Sequence, residues 1–262
     1  MRVFLAEKPS VAKEIAFCLG GASRHDGYWT TANGDFVTFA VGHLVEIADP
    51  EKMNPEWKVW SAETLPMIPT EFIYQANEGT KKQLDIVCRL FTQSGVTEII
   101  NACDAEREGE LIFWLAYNYA KANKPVKRFW LSSTTTEAIK QELRSLKPAA
   151  QYEGLRQAAT LRQQADWLVG LNATRAMTLT ARSLGGNGTY SLGRVQTPTL
   201  KLIVERDTLI NNFVPVPFFV IDGIFSPLVS SHLEGNESGE NQTFVAHHCS
   251  EKLEIIRFET KA

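Results

Sequence analysis

The first 150 residues predict an α/β domain, a parallel sheet flanked by helices; a helical region over 151–212 and the start of a β-rich region over 213–262 follow. Three observations carry this reading. Short apolar runs hand over directly to helical runs at residues 2–8 and again at 96–115. Pro148 is followed by a long helical stretch rich in arginine, and after Asn211 the pattern turns β-like. Strand and helix alternating along a chain is the signature of a parallel sheet with helical crossovers.

In order, residues 2–6 read as a strand, after which Ser10 can cap a helix with apolar positions Val11, Ile15, Phe17 and Leu19, ending at Gly20-Gly21. Residues 28–46 alternate as a hairpin around Asn33-Gly34, a favoured turn pair. They close on Gly42-His43-Leu44, where His43 either meets a ligand or hydrogen-bonds within its loop. Residues 51–74 form a connection without clear periodicity and are a candidate lip over the site. Residues 80–94 make an amphipathic helix with Leu84, Val87, Leu90 and Phe91 on one face. A buried strand is expected over 96–100 and another over 126–131. Thr134-Thr135-Thr136-Glu137 then offers a capping box for a helix to about Leu146.

Beyond Pro148, residues 152–182 read as helical with an interruption at Gly170, and 185–188 as a glycine-rich turn. Thr197-Pro198 opens a further helix, with Pro in the first turn. Residues 215–225, 243–246 and 253–258 are strand-like around a polar stretch at 230–241, too little sequence to close a β-rich core. The net charge of −3 gives no global basic field, but residues 155–206 hold seven basic side chains against two acids. The four cysteines form no CxxC pair, which argues against zinc and for a reduced, cytoplasmic setting. The N-terminus meets charge too early for a signal peptide, and no apolar run reaches about 18 residues, so no membrane segment is expected.

The chemistry concentrates in Asn101–Glu110, where Asp104, Glu106, Glu108 and Glu110 fall within seven residues. Asp104, Glu106 and Glu108, at i, i+2 and i+4, would share one side of an extended segment, and hard oxygen ligands of that kind suit Mg²⁺. Equally, acids at a helix start can serve only the macrodipole. Glu7 and Lys8 occupy a second strand-to-helix turn. If both turns share one sheet edge, they join an acid, a cation and a metal site, a set suited to phosphoryl transfer; a solvated surface pair is the alternative. Ser191-Leu192-Gly193-Arg194-Val195-Gln196, before the helix at Thr197, is either an anion site or a salt-bridged cap.

Taken together, Ala6-Glu7-Lys8-Pro9-Ser10, the Asp104–Gly109 turn, Ala165-Asp166-Trp167-Leu168-Val169-Gly170-Leu171-Asn172-Ala173-Thr174-Arg175-Ala176 and Ser191–Pro198 resemble type IA DNA topoisomerases, nearest the topoisomerase III branch, over roughly residues 1–225. The resemblance implies a Toprim domain at 1–150, part of the helical DNA-binding domain at 151–212 and the start of the β-rich arch at 213–262. It implies Glu7 as the acid/base residue and Lys8 on the scissile phosphate. Asp104, Glu106 and Glu108 would hold Mg²⁺, with Glu106 standing where the family pattern has Asp. Arg162, Asp166, Arg175, Ser191, Arg194 and Gln196 would face single-stranded DNA, the substrate being single-stranded or negatively supercoiled DNA and the protein a monomer. The family's attacking tyrosine sits in a TYxRTDS-like segment that none of the six tyrosines here occupies, so it is expected downstream of residue 262. A fragment of a strand-cleaving enzyme is therefore expected; the alternative is a non-catalytic module that binds single strands and Mg²⁺.

Overall fold

The computed structural model describes residues 1–225, 244–250 and 254–257 and divides into two compact units, Met1–Pro198 and Thr199–Ala262. In the first unit the elements run β1 (Arg2–Ala6), α1 (Pro9–Cys18), β2 (Ala22–His25), β3 (Tyr28–Thr31), β4 (Phe36–Phe39), β5 (Val45–Ile47), α2 (Pro50–Met53), β6 (Tyr74–Ala76), α3 (Lys81–Thr92) and β7 (Glu98–Ala102). They continue α4 (Arg107–Tyr119), β8 (Val126–Arg128), α5 (Thr136–Arg144), β9 (Lys147–Pro148) and α6 (Glu153–Ser183). α7 (Gln196–Asn211), β10 (Asp222–Phe225) and β11 (Phe244–His247) complete the order.

Seven strands form one sheet in the order β2-β3-β4-β1-β7-β8-β9. Its centre is parallel, β4 to β1, β1 to β7 and β7 to β8, as the alternation of strands and helices predicts. Both edges are antiparallel, so the sheet is mixed rather than wholly parallel. The β2–β3 hairpin, turning at Gly27 (φ +81°), supplies one edge and the two-residue β9 the other. Period-2 alternation sorts the central strands onto two cores. Val3, Leu5 and Ile99 pack with Leu84, Val87, Phe91 and Phe113 of α3 and α4, while Phe4, Ala6 and Ile100 pack with Ala12, Ile15 and Ile139 of α1 and α5. Covering both faces leaves the ends of the strands as the place where loops converge.

Several boundaries differ from expectation. α1 starts at Pro9 with Lys8 at its N-cap, not at Ser10, because Pro is accommodated in the first turn where its missing N–H is not needed. Thr135, one residue later than expected, caps α5 by accepting from the Ala138 N–H at 3.4 Å. α6 runs through Gly170 without a break, and a Cβ there would stand 3.6 Å from the Leu192 carbonyl. Residues 55–72 dock on α6, with Trp57 and Phe72 against Trp167 at ring separations of 6.4 and 5.6 Å. The Asn172 side chain accepts from the Met67 N–H at 2.6 Å and donates to the Met67 carbonyl at 3.0 Å.

By packing the chain divides at Pro198, whereas the expected boundaries at 150 and 212 divide it by type of structure. In the second unit β10 and β11 pair antiparallel, Phe225 stacks on Phe244 and Cys249 bridges Ile255. The expected turn-rich stretch at 230–241 lies outside the described residues, as do Leu253 and Phe258 of the last expected strand.

Candidate active site at the strand ends

The parallel register of β1 and β7 pairs Ala6 with Ala102, so the residues that follow each strand emerge side by side. The Asp104 N–H donates to Glu7 Oε2 at 3.3 Å, and Lys8 Nζ donates to Asp104 Oδ2 at 2.7 Å while standing 4.0 Å from Glu7 Oε1. Two turns almost a hundred residues apart thus meet, as the sequence led us to expect. Burial, and then the Asp104 carboxylate, hold the Glu7 carboxyl above the usual carboxylate range, against the opposing pull of Lys8. The hydrogen bond from Lys8 to Asp104 raises the lysine pKa and keeps it an ammonium. Cys103, next in line, is fully buried, and that burial pushes its thiol up and excludes it as a nucleophile.

Asp104 is positioned by its backbone. The Arg128 guanidinium, 1% exposed, donates to the carbonyls of Asn101, Cys103, Asp104 and Phe129 at 2.7–3.0 Å and pairs with Glu110 at 2.6 Å. Glu110 in turn accepts from Asn101 Nδ2 at 3.1 Å and from Trp114 Nε1 at 2.9 Å. Its burial raises the carboxyl pKa, and Arg128 opposes that shift. Gly109 completes the cradle, because a Cβ at that position would overlap the Asp104 carbonyl oxygen. Sequence reasoning missed Arg128, Asn101 and Gly109 as parts of the site. The available signal was a lone arginine at the end of an apolar strand, in register with the acidic turn.

The three expected metal ligands do not line one extended segment. Asp104 lies in the turn, Glu106 is the extended N-cap of α4 (φ −153°) and Glu108 is in the first helical turn, so the three acids stand on different local structure. Glu108 pairs with His43 Nε2 at 2.6 Å, which gives His43 a partner outside its own loop. Among the described residues no three acidic, histidine or cysteine side chains are arranged to hold a metal ion. The donor chemistry nonetheless suits one: Asp104 and Glu106 both act electrostatically on Glu7, so two hard oxygen donors lie near that carboxyl. Lys8, Asp104 and Glu106 line an open cleft of about 710 Å³ together with Trp130, Ser132 and Ser133, and no tyrosine lines it.

The basic half is built on α6. Asp166 accepts from Arg194 Nε at 2.5 Å and lies 3.8 Å from Arg162 Nε, so one carboxylate holds two guanidinium groups at the surface. The 190–194 segment is laced to α6 through Thr174, whose hydroxyl accepts from the Leu192 N–H at 2.9 Å and donates to its carbonyl at 3.2 Å. The Ser191 hydroxyl donates to Gln196 Oε1 at 3.3 Å. Arg162 and Asp166 share a second cleft, of about 380 Å³, with His43, Arg107 and Glu108. Arg175 departs from expectation. It is 4% exposed, donates to the Trp57 carbonyl at 2.7 Å and stacks on Trp60, so it fastens the 55–60 loop to α6 rather than facing a strand.

Two known families match this chain. Residues 2–134 match the family described as Toprim domain, and residues 150–260 the family described as DNA topoisomerase. DNA topoisomerase 3 of Shouchella clausii is 43% identical over 220 residues, covering 84% of this chain and 29% of that protein. The Bacillus subtilis DNA topoisomerase 3 is 42% identical over 221 residues, with the same coverage. Full-length topoisomerase I from Thermotoga maritima superposes with a TM-score of 0.57 at 19% identity, over 97% of this chain and 36% of that one, a likeness of fold. The chain thus spans under a third of the length of the two topoisomerase 3 proteins. With a Toprim match over half its residues and a DNA topoisomerase match over most of the rest, the chain belongs to the type IA DNA topoisomerase family, beside the proteins named topoisomerase 3.

Proposed function

We propose that this chain supplies the acid, the cation and the phosphate-binding surface of a topoisomerase III-like enzyme that cuts and rejoins one DNA strand with Mg²⁺ in the cytoplasm. The observation that carries it is the convergence of Glu7, Lys8 and Asp104 at one sheet edge. In the reaction a tyrosine oxygen attacks a backbone phosphorus, and the bond from phosphorus to the 3′-oxygen breaks. Glu7, its pKa raised by burial and neighbouring carboxylates, delivers the proton that the leaving 3′-oxygen takes up and recovers it on rejoining. Lys8 offsets the negative charge that builds on the phosphate. Asp104, Glu106 and Glu108 would hold Mg²⁺, which when bound neutralises phosphate charge and orients the reacting group. Arg162, Ser191, Arg194 and Gln196 bind the strand, and Asp166 keeps the two arginines in place. None of the six tyrosines is the attacking group in this reading, because none lines the cleft that holds Lys8 and Asp104.

The test is a single-stranded oligonucleotide incubated with the chain and Mg²⁺, resolved on native and denaturing gels. Salt-dependent binding without a covalent adduct is expected. No binding at low salt would remove the proposal, and an adduct would show that one of the six tyrosines is the nucleophile.

A further inference from the structure

A separate cleft of about 640 Å³ borders the first turn of α1, beyond Lys8. Ser10 and Lys13 of α1 and Arg24 of β2 flank it, and Trp29 and Phe39, with ring centroids 5.5 Å apart, supply its aromatic wall. The wall is fixed from behind. The Gln83 amide nitrogen donates to the Gly27 and Phe39 carbonyls and to the Thr38 hydroxyl at 2.8–3.1 Å, tying the hairpin to α3. Gly27 (φ +81°) lies so close to Gln83 and Ile86 that a side chain would not fit. Asp26, the nearby acid, is taken by Lys82 at 2.8 Å. Lys13 and Arg24 are exposed and form no ion pair among the described residues.

Two uncommitted cations beside a rigid aromatic surface fit a phosphate joined to a base, since aromatic rings stack on bases of any sequence. The cleft shares α1 with Lys8, which caps that helix and touches Asp104. We infer that it is a nucleotide subsite that holds one stretch of DNA backbone and one base beyond the reacting phosphate, an inference that rests on the strand-cleavage reading above. It gives the β2–β3 hairpin a role in setting the path of the strand.

The test measures binding of a fluorescein-labelled thymidine oligonucleotide to the whole chain by anisotropy across a salt series, with Lys13→Ala/Arg24→Ala and Arg194→Ala in parallel. Both side chains of the double variant are exposed, so the fold is kept, and thermal melts check that it is. The double variant is expected to bind about tenfold more weakly at low salt, with a salt slope shallower by about two. Wild-type affinity and slope in the double variant, with binding lost in Arg194→Ala, would overturn the subsite and leave the strand-binding reading standing. Absence of binding by the wild-type chain would overturn both. Calorimetric binding of free thymidine monophosphate, lost in the double variant, would show a pocket for free nucleotide and overturn its assignment to a strand.

Discussion

The acidic turn and the Arg194 segment carry charge in opposite ways. Around Asp104 the ordering groups are buried and reach it through backbone: Arg128 and Glu110 lie at 1–2% side-chain exposure, and the carboxylate itself is left to meet Lys8. Around Arg194 the ordering group is Asp166, an exposed carboxylate that occupies the same guanidinium a phosphate would take. The first arrangement fixes geometry at the cost of desolvating two charges, and the second keeps a surface that rearranges when a ligand competes. In the proposed reading the first suits a reacting centre and the second a strand that must be released.

That contrast is sharpened most by cutting the buried pair. Arg128→Met leaves Glu110 without its cation inside the fold and removes the support of Asp104, so denaturant unfolding should show a loss of about 3–5 kcal/mol. A loss as small as that of a surface ion pair would put Arg128 on a par with Arg194 and erase the difference. A smaller effect is expected from Gly109→Ala, about 1–3 kcal/mol, because the added carbon meets the Asp104 carbonyl and the turn must shift. The same variant should weaken Mg²⁺ binding measured by calorimetry, which a change remote from Asp104 would not do. The smallest change belongs to the exposed half. Asp166→Asn should move stability by less than about 1 kcal/mol yet tighten single-strand binding roughly two- to fivefold at low salt, as Arg162 and Arg194 lose their internal competitor. Weaker binding in that variant would mean that Asp166 positions the arginines more than it competes for them.

What the sequence revealed follows from the range of the interactions. β1, β7, α3 and the meeting of Glu7 with Asp104 were readable, because periodicity and strand-to-helix order are local signals and the parallel topology follows from them. Gly109 was passed over because the need for a glycine arises from contact with a carbonyl five residues earlier that only the folded turn creates. Arg128 was not singled out, since nothing local tells a buried arginine from a solvated one. Arg175 was misread for the converse reason: its motif suggested a strand contact, while the Trp57 and Trp60 loop that buries it lies over a hundred residues away. Asp104, Glu106 and Glu108 were expected on one side of an extended segment, which fails because α4 begins at Arg107, between the second acid and the third.

The register that pairs Ala6 with Ala102 also bears on timing. Glu7 and Lys8 leave the ribosome nearly a hundred residues before Asp104, and the centre strand β1 has no parallel neighbour on that side until β7 arrives. The reactive constellation is thus among the most non-local features of the chain and forms only with the late, slow closure of the central sheet. A nascent or locally unfolded chain carries the acid and the lysine apart from the turn that orients them. The acid and the lysine consequently lack their orienting carboxylate in every state except the one in which the core is complete.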